Sequence, residues 1–91
     1  MIYLVEDDNS IRELVIYTLQ STGFEARGFA CGADFWEGMK EDMPELVLLD
    51  IMLPDEDGLS ILRKLRGTAA TQKLPVMMLT AKEVMTHAGG D

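Results

Sequence analysis

The chain has 91 residues, enough for one domain at most. Its hydrophobic fraction of 47% and charged fraction of 26% are typical of a globular protein and argue against disorder, and no apolar run approaches the roughly 18 residues that a membrane span needs. Sixteen acidic residues against eight basic ones give a net charge of −8, so the domain itself is expected to repel nucleic acid.

The first residues lack the features of a secretion signal. Met1 is followed by a short apolar run and then directly by acids, with no basic stretch before it. Cys31 is the single cysteine, so no internal disulfide can form. We therefore expect a cytoplasmic protein without a membrane segment.

The first half of the chain reads as two strand–helix pairs. An apolar run at 2–5 predicts a buried strand, and Ser10 followed three residues later by Glu13 predicts a capping box that starts a helix. That helix is expected to end at Gly23 and to bury one face, made of Ile11, Leu14, Val15, Thr18 and Leu19. A weaker strand signal covers 24–29, and a second helix is predicted over 33–41 with Phe35, Trp36 and Met39 buried.

The second half repeats the alternation. Residues 46–49 are apolar on both faces, as expected for a central parallel strand, and Asp50 follows them directly. Leucines at 59, 62 and 65 predict a third helix that ends at Gly67, followed by a loop over 68–73. A fourth buried strand is predicted over 76–79, with Met77 and Met78 in the core, and the tail covers 81–91.

Four strand–helix units in series predict a parallel sheet with helices on both faces. Right-handed crossovers place the carboxyl ends of all its strands at one edge, where open α/β sheets bind ligands. The residues at those strand ends are Glu6, Asp7 and Asp8 after the first strand, Asp50 after the third and Thr80 after the fourth.

The carboxylates at this edge predict a phosphoryl-acceptor site. At about 5 Å and an effective dielectric near 20, each ionised pair repels by roughly 3 kcal/mol, so the group must hold a proton or a cation. Oxygen ligands without histidine or cysteine favour a hard ion, Mg²⁺ or Mn²⁺. A carboxylate beside such an ion can attack phosphorus and form an aspartyl-phosphate, and Thr80 supplies a hydroxyl on the next strand.

Three segments of the chain resemble the receiver domain of two-component response regulators. They are the acidic segment 5–12, the strand and Pro/Gly loop 48–58, and the strand 74–81 that ends in a hydroxyl residue. The resemblance covers residues 1–82 and is greatest to the subfamily with a C-terminal winged-helix DNA-binding domain. It implies a flavodoxin-like doubly wound sheet with strand order 2-1-3-4, the fifth strand and fifth helix being absent from this chain.

The resemblance also implies roles for individual residues. Asp50 would be the phosphorylated aspartate, and Thr80 the switch hydroxyl that bonds the phosphoryl oxygen. Asp7 would ligate Mg²⁺ directly, Glu6 through metal-bound water, and Met52 through its backbone carbonyl. Asp8 falls outside the acidic pair and is interpreted as a solvated or capping acid.

Part of the family pattern has no counterpart here. Lys82 lies only two residues after Thr80 and does not correspond to the family's active-site lysine. We therefore expect a single incomplete receiver domain over 1–91, with an atypical tail at 83–91 and weak phosphorylation. With strand four at the edge of the sheet, we also expect a homodimer formed by edge pairing or segment exchange.

The function implied is a signalling switch rather than a turnover enzyme. A sensor histidine kinase would donate the phosphoryl group, and the output would be transcriptional control through a DNA-binding domain absent here. The alternative is a truncated or degenerate receiver that works only as a dimerisation or protein-interaction module. A hydrolase of the haloacid type is disfavoured, because it needs an acid at the position of Met52.

Overall fold

The structure, a computed structural model, describes residues 1–79. Strands and helices alternate along this range: β1 (Ile2–Val5), α1 (Asn9–Ser21), β2 (Ala26–Phe29), α2 (Gly32–Glu41), β3 (Leu46–Asp50), α3 (Gly58–Gly67), a 3₁₀ helix (Ala69–Thr71) and β4 (Val76–Leu79). The strands form one parallel sheet in the order β2-β1-β3-β4. This order confirms the predicted doubly wound topology.

Alternate side chains of the strands pack into two separate cores. One face of the sheet packs against α2 and α3, and its buried residues are Tyr3, Val5, Phe29, Phe35, Val47, Leu49, Ile61, Leu65 and Leu74. The other face packs against α1, with Ile2, Leu4 and Leu48 buried beneath Val15, Ile16 and Leu19. Because β1 and β3 lie in the middle of the sheet, their apolar runs are buried on both faces, as predicted.

Helix α1 begins one residue before the predicted cap, at Asn9, and the face that it turns to the sheet differs in part from the predicted face. Leu14 and Thr18 were predicted to be buried, but both are exposed, Leu14 by 65%, and Ile16 packs against the sheet instead. The end of the helix agrees with the prediction: Gly23 has a φ of 97° and donates its N–H to Gln20. The N–H of Phe24 reaches back to the Leu19 carbonyl, which completes a Schellman motif.

The remaining boundaries differ from the predictions by a few residues. Strand β2 is shorter than predicted, and the region 68–73 contains a 3₁₀ helix. The Thr71 N–H donates to the Thr68 carbonyl at 3.1 Å, and the Thr71 hydroxyl joins this turn to the Leu65 carbonyl at 2.6 Å. In α3, Ile61 is buried while Leu59 is 43% exposed, so the predicted leucine face was partly wrong. Met77 is also exposed, which contradicts its prediction as a core residue, whereas Met78 packs against the core.

None of the helices within residues 1–79 combines the length and apolar character needed to cross a membrane.

Tyr3 and Gly38 join the centre of the sheet to α2. The buried Tyr3 hydroxyl lies 3.0 Å from the Gly38 carbonyl and 3.1 Å from the Asp42 carbonyl, and donates to these acceptors near the end of the helix. The Phe29 ring packs edge-on against Tyr3 and covers Gly38 so closely that a Cβ there would lie 2.4 Å from Phe29 Cζ. A residue without a side chain is therefore required at position 38.

We expect Gly38→Ala to destabilise the fold. The added methyl group overlaps the buried Phe29 ring, and such overpacking typically costs about 1–3 kcal/mol, more than the roughly 1 kcal/mol that alanine gains in a helix. Gly67→Ala is the matched control, because a Cβ at this helical position meets no heavy atom of the described chain within 4 Å. Urea unfolding of both variants measures the difference, and a Gly38→Ala protein as stable as Gly67→Ala would contradict the packing argument.

Candidate functional site

Three carboxylates meet at the carboxyl edge of the sheet. Val5 pairs with Leu49 in the parallel register of β1 and β3, so the next residues of the two strands, Glu6 and Asp50, are neighbours. One carboxylate oxygen from each of Glu6, Asp7 and Asp50 lies within 4.8 Å of the others. Glu6 is 1% exposed and Asp50 5% exposed, and Asp7 is half-buried. The structure thus brings together three of the residues that were predicted to share a site.

The chemistry of this donor set fits a hard divalent cation. At separations near 5 Å and an effective dielectric near 20, each pair of ionised carboxylates repels by roughly 3 kcal/mol. Oxygen-only ligands match the preference of Mg²⁺, which commonly takes one or two carboxylates and completes its shell with water or phosphate oxygens. A bound cation would offset the repulsion, and it would leave oxygen positions for a phosphoryl group.

The loop between β1 and α1 is held by its own hydrogen bonds. Asp8 is the N-cap of α1 and accepts the N–H of Ile11 at 3.0 Å, while its own N–H donates to Glu6 Oε1 at 3.0 Å. Arg12 Nη1 donates to the Glu6 carbonyl at 2.8 Å, and so joins the first turn of α1 to the end of β1. These bonds hold both the side chain and the backbone of Glu6.

The predicted capping box of Ser10 and Glu13 is wrong. The helix begins at Asn9, so Ser10 already lies inside its first turn, and the capping side chain is Asp8. Aspartate and serine are comparable N-cap residues. The connection between β1 and α1 is short, and the helix starts after Asp8, which comes before Ser10 in the chain. The interpretation of Asp8 as a capping acid is therefore confirmed.

The loop between β3 and α3 folds back onto Asp50 at Gly58. The N–H of Gly58 donates to the Ile51 carbonyl at 2.8 Å, and a Cβ on Gly58 would lie 2.1 Å from the Asp50 carbonyl oxygen. Only glycine permits this approach of two backbone segments. At the start of the same loop the Met52 N–H lies 3.4 Å from Asp50 Oδ1, so the Met52 backbone borders the carboxylates.

Asp55, in the same loop, caps a helix more than twenty residues away. Its carboxylate accepts the N–H of Gly32 on Oδ1 and the N–H of Ala33 on Oδ2, both at 2.9 Å. These are the first two N–H groups of α2, and the helix's own N-cap residue, Cys31, makes no side-chain capping bond. The two hydrogen bonds hold the pKa of Asp55 below its ordinary value. A cap of this kind typically contributes about 0.5–2 kcal/mol.

Glu56 makes a second connection from the loop to the helices. Trp36 Nε1 of α2 donates to its Oε1 at 2.9 Å, and from α3 the Ser60 hydroxyl and Lys64 Nζ contact its Oε2 at 3.0 Å and 2.5 Å. The bond with Lys64, followed by that with Trp36, lowers the pKa of the Glu56 carboxyl. We call Asp55 and Glu56 with these partners the loop clamp.

The sequence pattern singles out neither acid of the loop clamp. The available signal was indirect: α2 starts after Ala30 and Cys31, so no good N-cap residue precedes it. Thr80, the predicted switch hydroxyl, lies outside the described residues, as do Lys82 and the tail at 83–91.

Sequence comparisons identify similar proteins over nearly the whole chain. A family model described as "Response regulator receiver domain" matches residues 2–89. The transcriptional regulatory protein GltR of Pseudomonas aeruginosa is 45% identical over 80 residues, which are 88% of this chain and 33% of the relative. The phosphate regulon regulatory protein PhoB of Rhizobium meliloti is 37% identical over 81 residues, 89% of this chain and 36% of that protein. The chain spans about a third of the length of these relatives.

Solved structures agree with the observed topology. The N-terminal domain of a response regulator receiver protein from Methanoculleus marisnigri superposes with a TM-score of 0.80 at 29% identity, covering 96% of this chain and 75% of that one. A signal receiver domain of a histidine kinase from Syntrophus aciditrophicus gives a TM-score of 0.82 at 25% identity, covering 96% and 69%.

The lowered pKa values of the loop clamp predict an acid-sensitive fold. A carboxyl group whose pKa is lower in the folded state stabilises the fold above its unfolded pKa, and this contribution is lost as the pH falls through the folded value. The ordinary values are 3.8 for Asp55 and 4.5 for Glu56, so we expect the loss to begin below about pH 5 and to continue below 3.8.

Chemical denaturation at a series of pH values tests this expectation. The double variant Asp55→Asn/Glu56→Gln should show a shallower decline of the unfolding free energy below pH 5 than the wild type. Asp34→Asn is the control, because Asp34 lies in the same first turn of α2 but accepts none of the clamp's hydrogen bonds. Equal slopes for the double variant and the wild type would contradict the assignment.

Proposed function

The chain belongs to the family of response regulator receiver domains, and from this premise we propose that Asp50 accepts a phosphoryl group from a sensor histidine kinase. The observation that carries the proposal is the grouping of Asp50 with Glu6 and Asp7 at the carboxyl edge of the sheet. Family membership favours this role over the alternative of a module that only binds other proteins. We propose that residues 1–91 form one such domain, in a cytoplasmic protein.

The transfer is a displacement at phosphorus. An Asp50 carboxylate oxygen attacks the phosphorus of the phosphohistidine, an O–P bond forms, and the P–N bond breaks with its electron pair moving to the imidazole nitrogen. Burial of Asp50 excludes water from one side of the attacking group. The hydrogen bonds from Met52 N–H to Asp50 Oδ1 and from Asp8 N–H to Glu6 Oε1 help to orient these carboxylates. We propose that the domain accepts one phosphoryl group as a signalling switch rather than acting as a turnover enzyme.

The proposed cofactor is Mg²⁺. Asp7 and Asp50 would hold the ion directly, Glu6 through bound water, and Met52 through its backbone carbonyl, as the family resemblance implies. When bound, the ion neutralises the carboxylates and the charge that develops on the phosphoryl oxygens. Thr80 is proposed as the switch hydroxyl that bonds the phosphorylated group.

The output of the switch is proposed from the relatives. GltR and PhoB are named as transcriptional regulatory proteins, and a further relative, MtrA of Mycolicibacterium smegmatis, as a DNA-binding response regulator. A phosphoryl group adds about −1.5 to −2 charges to a site that is already acidic. We propose that this change is transmitted to a DNA-binding region of the kind present in those longer proteins, since the net charge of −8 makes direct DNA binding by this domain unfavourable.

Intact-mass spectrometry after incubation with acetyl phosphate and Mg²⁺ tests the acceptor role. We expect one phosphoryl adduct, which is absent when the metal is removed with EDTA and absent in Asp50→Asn. Asp57→Asn is the matched control, because Asp57 lies in the same segment but caps α3 through the Leu59 N–H, a bond that asparagine can also accept. An adduct that persists in Asp50→Asn would refute the assignment of the acceptor, and no adduct on the folded wild type would refute the function.

A homodimer is proposed through the edge of the sheet. In the sheet formed by the described residues, β4 is an outer strand that pairs with β3, and Met77 on it is 56% exposed. An apolar edge strand can pair with a second chain, and a charge on such a strand opposes pairing. We propose this edge, with pairing or exchange of a segment, as the contact between two copies.

Sedimentation velocity at tens of micromolar should show a dimer for the wild type and a monomer for Met77→Lys. Met43→Lys is the control, because Met43 is similarly exposed but lies in the connection between α2 and β3, away from β4. A compact wild-type monomer would refute the proposed contact.

A further inference from the structure

We infer that the loop clamp is a positioning device for the acceptor site, with Asp55 as its principal residue. The inference rests on the proposed function, because it concerns the loop that follows Asp50 and carries Met52. Asp55 lies three residues after Met52, and both its carboxylate oxygens bind N–H groups of α2. It is a positioning residue because its contacts are with the helix and the loop backbone.

The contacts of Asp55 attach the exposed part of the loop to the start of α2. Leu53 packs against the core below α2 and α3, and Gly58 packs on the Asp50 carbonyl. Between these two anchors the chain runs through Pro54, Asp55 and Asp57, all of which are exposed. Asp55 Oδ1 accepts the N–H of Glu56 at 2.9 Å as well as that of Gly32, so one carboxylate organises the loop backbone and attaches it to α2.

Glu56 extends the attachment to α3. Its carboxylate bridges Trp36 on α2 and Lys64 on α3 and is only partly accessible, so the loop connects both helices on this face of the sheet. Gly32, the first residue of α2, packs closely against both acids of the loop clamp. A Cβ on Gly32 would lie 3.3 Å from Glu56 Cβ and 3.4 Å from Asp55 Oδ1. The start of α2 and the loop after Asp50 are thus one packed unit.

This unit determines where the backbone at Met52 lies relative to the carboxylates of Asp50 and Asp7. Groups that orient a metal ligand from outside its coordination shell typically contribute about 10–100-fold to metal affinity or activity. Without the two hydrogen bonds between Asp55 and α2, the loop keeps its other contacts, including those of Glu56, but its backbone is no longer attached to the first N–H groups of that helix. The clamp therefore acts on the affinity for Mg²⁺ and on the rate of phosphorylation, while leaving the sheet intact.

The test compares Asp55→Ala with Asp34→Ala in the 91-residue chain. Both substitutions remove one negative charge near the start of α2, but only Asp55 connects that helix to the loop. Three quantities are measured: hydrogen exchange of the amides over 51–58, the Mg²⁺ dissociation constant by titration calorimetry, and the rate of phosphorylation by acetyl phosphate.

We expect Asp55→Ala to exchange the loop amides faster, to raise the Mg²⁺ dissociation constant by about tenfold and to slow phosphorylation by a similar factor. Asp34→Ala should match the wild type in all three measurements. Asp55→Asn keeps one acceptor oxygen and should fall between Asp55→Ala and the wild type. If Asp55→Ala does not fold, Trp36→Phe is measured instead. This substitution keeps an aromatic ring but removes the N–H donor to Glu56, and it should change the same three quantities in the same direction.

The outcomes separate the inference from the proposed function. Faster loop exchange in Asp55→Ala with unchanged Mg²⁺ affinity and phosphorylation would overturn the positioning role, as would equal effects of Asp55→Ala and Asp34→Ala. A folded wild type that neither binds Mg²⁺ nor accepts a phosphoryl group would refute the proposed function and the positioning role with it. Unchanged exchange in Asp55→Ala would refute the clamp itself.

Discussion

The close approach of the Glu6, Asp7 and Asp50 carboxylates at one edge of the sheet is the constraint on which this site depends. Parallel pairing of β1 and β3 places acids that are distant in sequence at adjacent strand ends, and two of them are buried. Packing in the two cores keeps the strands in this register and so keeps the three carboxylates together, although they repel one another when ionised. The energy of packing in the sheet is thus what maintains a concentration of negative charge at its edge.

The loops that surround the carboxylates are held in place by hydrogen bonds and close backbone packing. Asp8 and Arg12 hold the backbone after β1, and Gly58 allows the chain after β3 to close against Asp50. Asp55 and Glu56 attach the second loop to α2 and α3. Acidic residues have opposite effects in these two places: those at the strand ends repel one another, and those in the loop form stabilising hydrogen bonds with helix N–H groups and with Lys64.

Much of this arrangement can be predicted from the sequence, and the failures have physical reasons. The strands β1 and β4 begin and end where predicted, because both are continuous apolar runs in the sequence. The predicted faces of α1 and α3 were partly wrong at Leu14 and Leu59, because an apolar residue beside the buried stripe looks the same in sequence as one within it. The cap provided by Asp55 could not be predicted, since it depends on the approach of two segments separated by more than twenty residues.

The hydrogen bond between Trp36 and Glu56 has a practical consequence. Trp36 is the only tryptophan of the chain, and its indole N–H donates to the segment that follows Asp50. Indole emission depends on the polarity and hydrogen bonding around the ring, so the intrinsic fluorescence of the unlabelled protein should respond when this segment moves. The molecule therefore carries its own optical probe for the loop beside its acidic edge.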